Sequence, residues 1–138
     1  MSNFEGYPDP TCERAIGNIA KDEKVSPSKN PMVYICSPYS GDTKANTMAA
    51  RRYSRFAVTK GKLPITPHLL FPRFLNENNP KERKLGLSFG LAMIRQCREI
   101  WVFGGKITQG MTYELNQARR KGKIIRYFDE NMQEVTNV

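Results

Sequence analysis

Glu114 lies in the stretch ITQGMTYELNQA (residues 107–118), just inside what reads as a helix start and one glycine-containing turn after the apolar run IWVF. A carboxylate so placed has two uses. It can complement the unpaired N–H groups and positive end of a helix, or it can face the end of the preceding strand as an acid, base or nucleophile. On a helix starting near Met111 the buried stripe is Met111, Leu115 and Ala118, and Glu114 falls about 40° of arc from Ala118, at the edge of that stripe and toward the top of a sheet. The turn ahead of it, with Gly104, Gly105, Gln109, Gly110 and Met111, can direct backbone N–H groups at an anion. It fits neither the GxxxxGK[ST] nor the GxGxxG phosphate loop.

A second group of polar side chains is SPYSGD, residues 37–42. Pro38 and Gly41 suit a turn, while Ser37, Tyr39, Ser40 and Asp42 bring three hydroxyls and a carboxylate. Arg51, on the segment that follows, is placed to reach an anion there, and otherwise forms solvated basic surface with Arg52. His68, the single histidine, follows Pro67 at a strand end where a structural hydrogen bond and a ligand contact both fit. It has no cysteine at ligand spacing, so neither a metal nor any other cofactor is expected. Trp101, inside an apolar run, reads as core, and the basic cluster Arg119, Arg120, Lys121 and Lys123 as a solvated face.

Short apolar runs and helical stripes alternate along the chain and would position these groups. Strands are expected at Met32–Cys36 and at residues 63–66, 100–103 and 123–128. Helices are expected at residues 46–60, with the inner stripe Ala49, Ala50, Tyr53, Phe56 and Ala57, and at residues 84–97 and 112–121. This order predicts an α/β fold, a doubly wound parallel sheet in a Rossmann-like or flavodoxin-like three-layer sandwich, with Met32–Cys36 and residues 100–103 adjacent and parallel. Such sheets bind ligands beyond the carboxyl ends of their strands, where SPYSGD, TPH and GGKITQGM would converge. The long connection after TPH would border that place. Gly86 and Gly90, four residues apart on a helix apolar around most of its circumference, suggest close approach of another backbone and a homo-oligomer.

The 138 residues, 39% of them hydrophobic, suffice for one domain, read as residues 32–138 behind an N-terminal arm, residues 1–31, that holds four of the nine prolines. No apolar run is long enough to span a bilayer and no secretion signal is present, so a soluble, cytoplasmic protein with no membrane partner is expected. Cys12, Cys36 and Cys97 are odd in number and are read as reduced thiols. The net charge of +9 favours an anionic partner, although no familiar nucleic-acid motif accompanies it and nucleic acid is disfavoured.

Taken together, YICSPYSGD, the spaced Asn46 and Tyr53, GKLPITPHL and CREIWVFGGKITQGMTYELNQARRKGKIIRYF resemble an uncharacterised domain family, common in bacteriophages and bacteria, that is similar to nucleoside 2-deoxyribosyltransferases. The resemblance covers residues 32–128. It implies a nucleophilic glutamate, aligned with Glu114, that attacks the anomeric carbon to give a glycosyl-enzyme, and sugar or base contacts from Ser37, Pro38 and Tyr39. It also implies assembly of several copies, and a bacterium or phage-infected cell as the setting. Tyr39 is the hydroxyl expected to orient Glu114, and Asp42 the carboxyl nearest in sequence to act as acid. Two aspartates that the transferases carry, one after the third strand and one before the nucleophile, are absent from VFGGK and TQGM. The expected function is a hydrolase or transferase acting on the N-glycosidic bond of a nucleoside, nucleotide or nucleotide-derived signal. Two alternatives are a non-catalytic protein that sequesters such a ligand and, on charge alone, a general nucleic-acid-binding protein.

Overall fold

The computed structural model describes residues 30–136. Apart from its last two residues, the arm expected over residues 1–31 lies outside them. The described chain runs β1 (Met32–Cys36), α1 (Thr43–Thr59), β2 (Leu63–Ile65), two 3-10 turns (Pro67–Leu69 and Phe71–Arg73), α2 (Pro80–Gln96), β3 (Glu99–Val102), α3 (Gln109–Arg120), β4 (Ile124–Phe128) and β5 (Glu134–Val135). The sheet order is β2-β1-β3-β4-β5. The pairs β1–β2, β1–β3 and β3–β4 are parallel, and β5 runs antiparallel to β4. This is the doubly wound α/β sandwich anticipated from the alternation, with β1 and β3 side by side at its centre.

Alternation along β1 divides the core. Val33 and Ile35 join Tyr53, Ala57, Trp101, Phe103 and Phe128 on one face. Tyr34 and Cys36 join Ile94, Cys97, Ile100, Val102, Met111, Leu115 and Ala118 on the other. Hence α1 covers one face, and α2 with α3 the opposite one. After β2 the chain crosses to the far side of β1, so strand order reverses between β1 and β3 and a crevice opens beyond their carboxyl ends.

Local chemistry sets the helix limits. The Asp42 carboxylate accepts the Ala45 N–H at 3.1 Å and starts α1 three residues ahead of the stripe expected from residue 46. Asn79 caps α2 through the N–H groups of Lys81 and Glu82, with Pro80 in the first turn, so α2 begins four residues ahead of the expected residue 84. β5 was not foreseen: residues 129–133 fold the chain back, with Met132 at φ 62°.

Within the chain, the glycines of α2 lie against side chains: a Cβ on Gly90 would stand 3.2 Å from the Tyr34 hydroxyl oxygen, and one on Gly86 would stand 3.6 Å from Leu75 Cδ1. Gly90 and Ile94 of α2 are buried, and Leu85 and Leu87 are exposed in the single chain. No helix among the described residues is long and apolar enough to cross a membrane.

Candidate functional site

A cavity of about 260 Å³ occupies the crevice on the α2–α3 face. Its floor is made by Tyr34 and Ser37 from β1 and the turn after it, Gly90 from α2, and Met111 from the start of α3, all buried. Phe71, Leu75 and Leu91 make its walls apolar, and Tyr39, Glu77, Glu82 and Arg83 reach it from the outer side.

Glu114 faces this cavity. Its Oε2 accepts a hydrogen bond from the Tyr34 hydroxyl at 2.5 Å, and its Oε1 one from the Cys36 thiol at 3.4 Å. Tyr34 and Cys36 are two apart on β1 and so project from the same face, which aims both donors at one carboxylate. Burial raises the Glu114 carboxyl above its usual range, and the two hydrogen bonds oppose that rise. Burial first, and the Glu114 charge second, hold the Tyr34 hydroxyl and the Cys36 thiol well above their ordinary values, so both stay neutral donors. The result is an anion held by two uncharged donors, which leaves it stabilised for contact yet still able to pair with a positive centre.

The turn after β1 is tightly held. The Asn46 side-chain amide donates to the carbonyls of Tyr39 and Ser40, each at 3.0 Å. The Phe103 N–H donates to the Cys36 carbonyl at 2.9 Å, extending the β1–β3 pairing into the two strand-end turns. Gly104, at φ 102°, lies against Pro38, where a Cβ would meet Cδ at 3.1 Å. The Tyr39 ring stacks on His68 with centroids 4.8 Å apart. Burial lowers the His68 imidazole below its usual range, against an opposing hydrogen bond with the Ser37 backbone, and favours the neutral ring. Ser37 Oγ is fully buried at the cavity and has no hydrogen-bond partner among the described residues.

Of the residues singled out in the sequence, the cavity brings together Glu114, Ser37, Tyr39, Ser40, His68, Gln109, Gly110 and Met111. It does not include Asp42, Arg51, Pro38, Gly41, Gly104 or Gly105. Asp42 is exposed and occupied in capping α1, so its placement does not suit the expected acid. Arg51 is exposed on α1, the helix that covers the opposite face of the sheet. Pro38 and Gly104 brace one turn against the other, and Gly41 and Gly105 take the positive φ their turns need. The hydrogen bonds that orient Glu114 come from Tyr34 and Cys36 and not from Tyr39, whose hydroxyl is held above its ordinary range by burial and then by Glu77. Sequence reasoning missed Tyr34, Cys36 and Glu77. A tyrosine inside an apolar strand is the signal that was available for the first, because a buried hydroxyl must find a partner.

Residues 31–128, from the lead into β1 to the end of β4, match a family described as Domain of unknown function (DUF7768). The chain belongs to this family. No curated protein matches it. Among solved structures, this DUF7768 domain is similar to a 2-deoxyribosyltransferase from the psychrotolerant bacterium Bacillus psychrosaccharolyticus, with a TM-score of 0.61, 16% identity and 77% of each chain covered. At that identity the likeness is one of fold, shared with an enzyme that modifies nucleosides.

Proposed function

We propose that this DUF7768 domain cleaves the N-glycosidic bond of a nucleoside or nucleotide, with Glu114 as nucleophile. The observation that carries the reading is the Glu114 carboxylate, partly buried at the strand-order reversal and held by two neutral donors, Tyr34 and Cys36. A Glu114 oxygen attacks C1′ of the sugar as the C1′–N bond breaks, and the bonding pair leaves with the base nitrogen, which takes a proton from solvent water. A water molecule, or the N–H nitrogen of a second base, then displaces the glycosyl ester, gives up its proton to solvent and regenerates the carboxylate. Burial suits this chemistry, because an anion in a largely apolar cavity gains strongly when positive charge develops at C1′. The fold shared with a 2-deoxyribosyltransferase supports the same class of substrate.

The test is release of free base from 2′-deoxynucleosides, followed by chromatography, with Glu114→Gln as the comparison. The amide keeps the shape and cannot readily form the ester, so base release should fall by at least about a hundredfold while binding persists. Equal rates in the two proteins would refute a nucleophilic Glu114.

A second reading has its own support. Neither VFGGK nor TQGM supplies an aspartate, and Asp42 is committed to α1. A domain that binds the ligand without cleaving it would show tight binding of the nucleoside and no base release from either protein.

A further inference from the structure

The charges on the cavity wall run against the charge of the chain. Among the described residues Glu77, Glu82 and Glu114 line it with Arg83 as the sole cation of the lining, although the whole sequence carries a net +9. Such a wall suits an uncharged ligand rich in N–H donors better than a phosphate ester.

Glu77 is held where it can read such donors. The turn that carries it is closed by three hydrogen bonds: the Asn76 N–H to Glu82 Oε1 at 2.6 Å, the Asn78 N–H to Asn76 Oδ1 at 3.0 Å, and the Asn79 N–H to the Asn76 carbonyl at 3.0 Å. Asn79 in turn caps α2. Burial first, and the neighbouring Glu77 carboxylate second, hold the Tyr39 hydroxyl above its ordinary range, and the Tyr39 ring stacks on His68. A carboxylate has about four acceptor positions, and among the described residues the Tyr39 hydroxyl leaves most of those on Glu77 open to a ligand. Ser37 Oγ, fully buried and unpartnered among the described residues, independently marks the same cavity as built for a polar ligand.

We propose that Glu77 is the specificity-determining residue of this cavity, accepting from the exocyclic amino group of a nucleobase, so that the preferred ligands are uncharged nucleosides of amino-bearing bases. This rests on the reading of the cavity as a nucleoside site. A base that turns only carbonyl lone pairs toward the carboxylate is repelled, whereas an amino group donates to it.

The experiment is calorimetric binding of two matched pairs, deoxycytidine against deoxyuridine and deoxyguanosine against deoxyinosine, to the full chain and to Glu77→Gln, with chromatography to account for any cleaved ligand. The exposed position of Glu77 lets the substitution be checked for intact folding by the emission of Trp101. In the unmodified chain the amino-bearing member of each pair should bind roughly tenfold tighter or more, the worth of a charge-assisted hydrogen bond. In Glu77→Gln that preference should shrink to about threefold or less, with deoxyuridine binding more tightly as the repulsion of its carbonyl is removed. Phosphorylating the 5′ position of the preferred nucleoside should weaken binding. Equal affinity within both pairs, a preference that survives Glu77→Gln, or tighter binding of the phosphate ester would each overturn the role of Glu77 and leave the nucleoside reading standing. Absence of binding by all four nucleosides would overturn both.

Discussion

Replacing Tyr34 with phenylalanine removes a single oxygen whose bond to Glu114 is 2.5 Å long, and it tests the electrostatics of the site without touching the reacting group. A hydrogen bond to an ionised partner contributes about 1.5–3 kcal/mol and a neutral one about 1 kcal/mol. The cost of Tyr34→Phe should therefore depend on pH. Burial holds the Glu114 carboxyl above its usual range, so between the unfolded and folded titrations the folded chain keeps a proton that the unfolded chain releases. The contribution of this group to stability is present at low pH and is lost as pH rises through the folded value. Removing the Tyr34 donor raises that carboxyl further and carries the loss to higher pH. Urea unfolding followed by the emission of Trp101, the one tryptophan and 1% exposed, reads this directly. Tyr34→Phe should cost roughly 1 kcal/mol more at pH 8.5 than at pH 5. The same cost at both values, or a greater cost at pH 5, would refute the claim that Tyr34 stabilises an ionised Glu114.

Four further outcomes follow from the geometry. Gly104→Ala places a Cβ 3.1 Å from Pro38 Cδ at φ 102° and should lower stability by about 1–3 kcal/mol in urea unfolding. Asp42→Ala should lose about 1 kcal/mol through the missing cap of α1, with nucleoside binding measured alongside and unchanged. In a Cys12→Ser background, burial pushes the Cys97 thiol up to about 11 and raises that of Cys36 well above its ordinary value, so an aromatic disulfide at pH 8 should titrate both thiols only after denaturation. Gly90→Ala crowds the Tyr34 hydroxyl oxygen at 3.2 Å and should weaken ligand binding and shift the Glu114 titration together, read by carboxyl NMR, whereas Gly86→Ala, at an ordinary 3.6 Å from Leu75, should leave that titration in place.

The parts of the site that the sequence made legible are those fixed by periodicity. Apolar runs and helical stripes fix which strands are central, strand-end rules follow, and the arc between Glu114 and Ala118 already turned the carboxylate toward the sheet. The donors to Glu114 were not legible because they depend on contacts between residues 78 and 80 apart in the chain. Tyr34 and Cys36 read as core in an apolar strand, because nothing local records that 80 and 78 residues later a carboxylate will meet them. Glu77 sits in a connection without periodicity, built from 3-10 turns and asparagine-closed loops, where hydrophobic pattern carries no signal. Asp42 misled for the opposite reason: a short acidic side chain before a helix is chemically suited to both capping and catalysis, and only the fold showed that it caps α1 outside the cavity.

The donors to Glu114 belong to β1, a strand paired on both edges by β2 and β3, whereas Tyr39, Glu77 and the wall residues Phe71 and Leu75 belong to turns. Amide exchange separates these two settings: protons in a doubly paired central strand exchange chiefly when the whole domain opens, and those of surface turns exchange through small local openings. The floor of the cavity and its entrance are thus kinetically uncoupled. Entry and departure of a ligand can be paced by residues 67–79 while the carboxylate keeps its orientation, and a change of ligand among DUF7768 proteins would be written in that segment, at little cost to the strand beneath it.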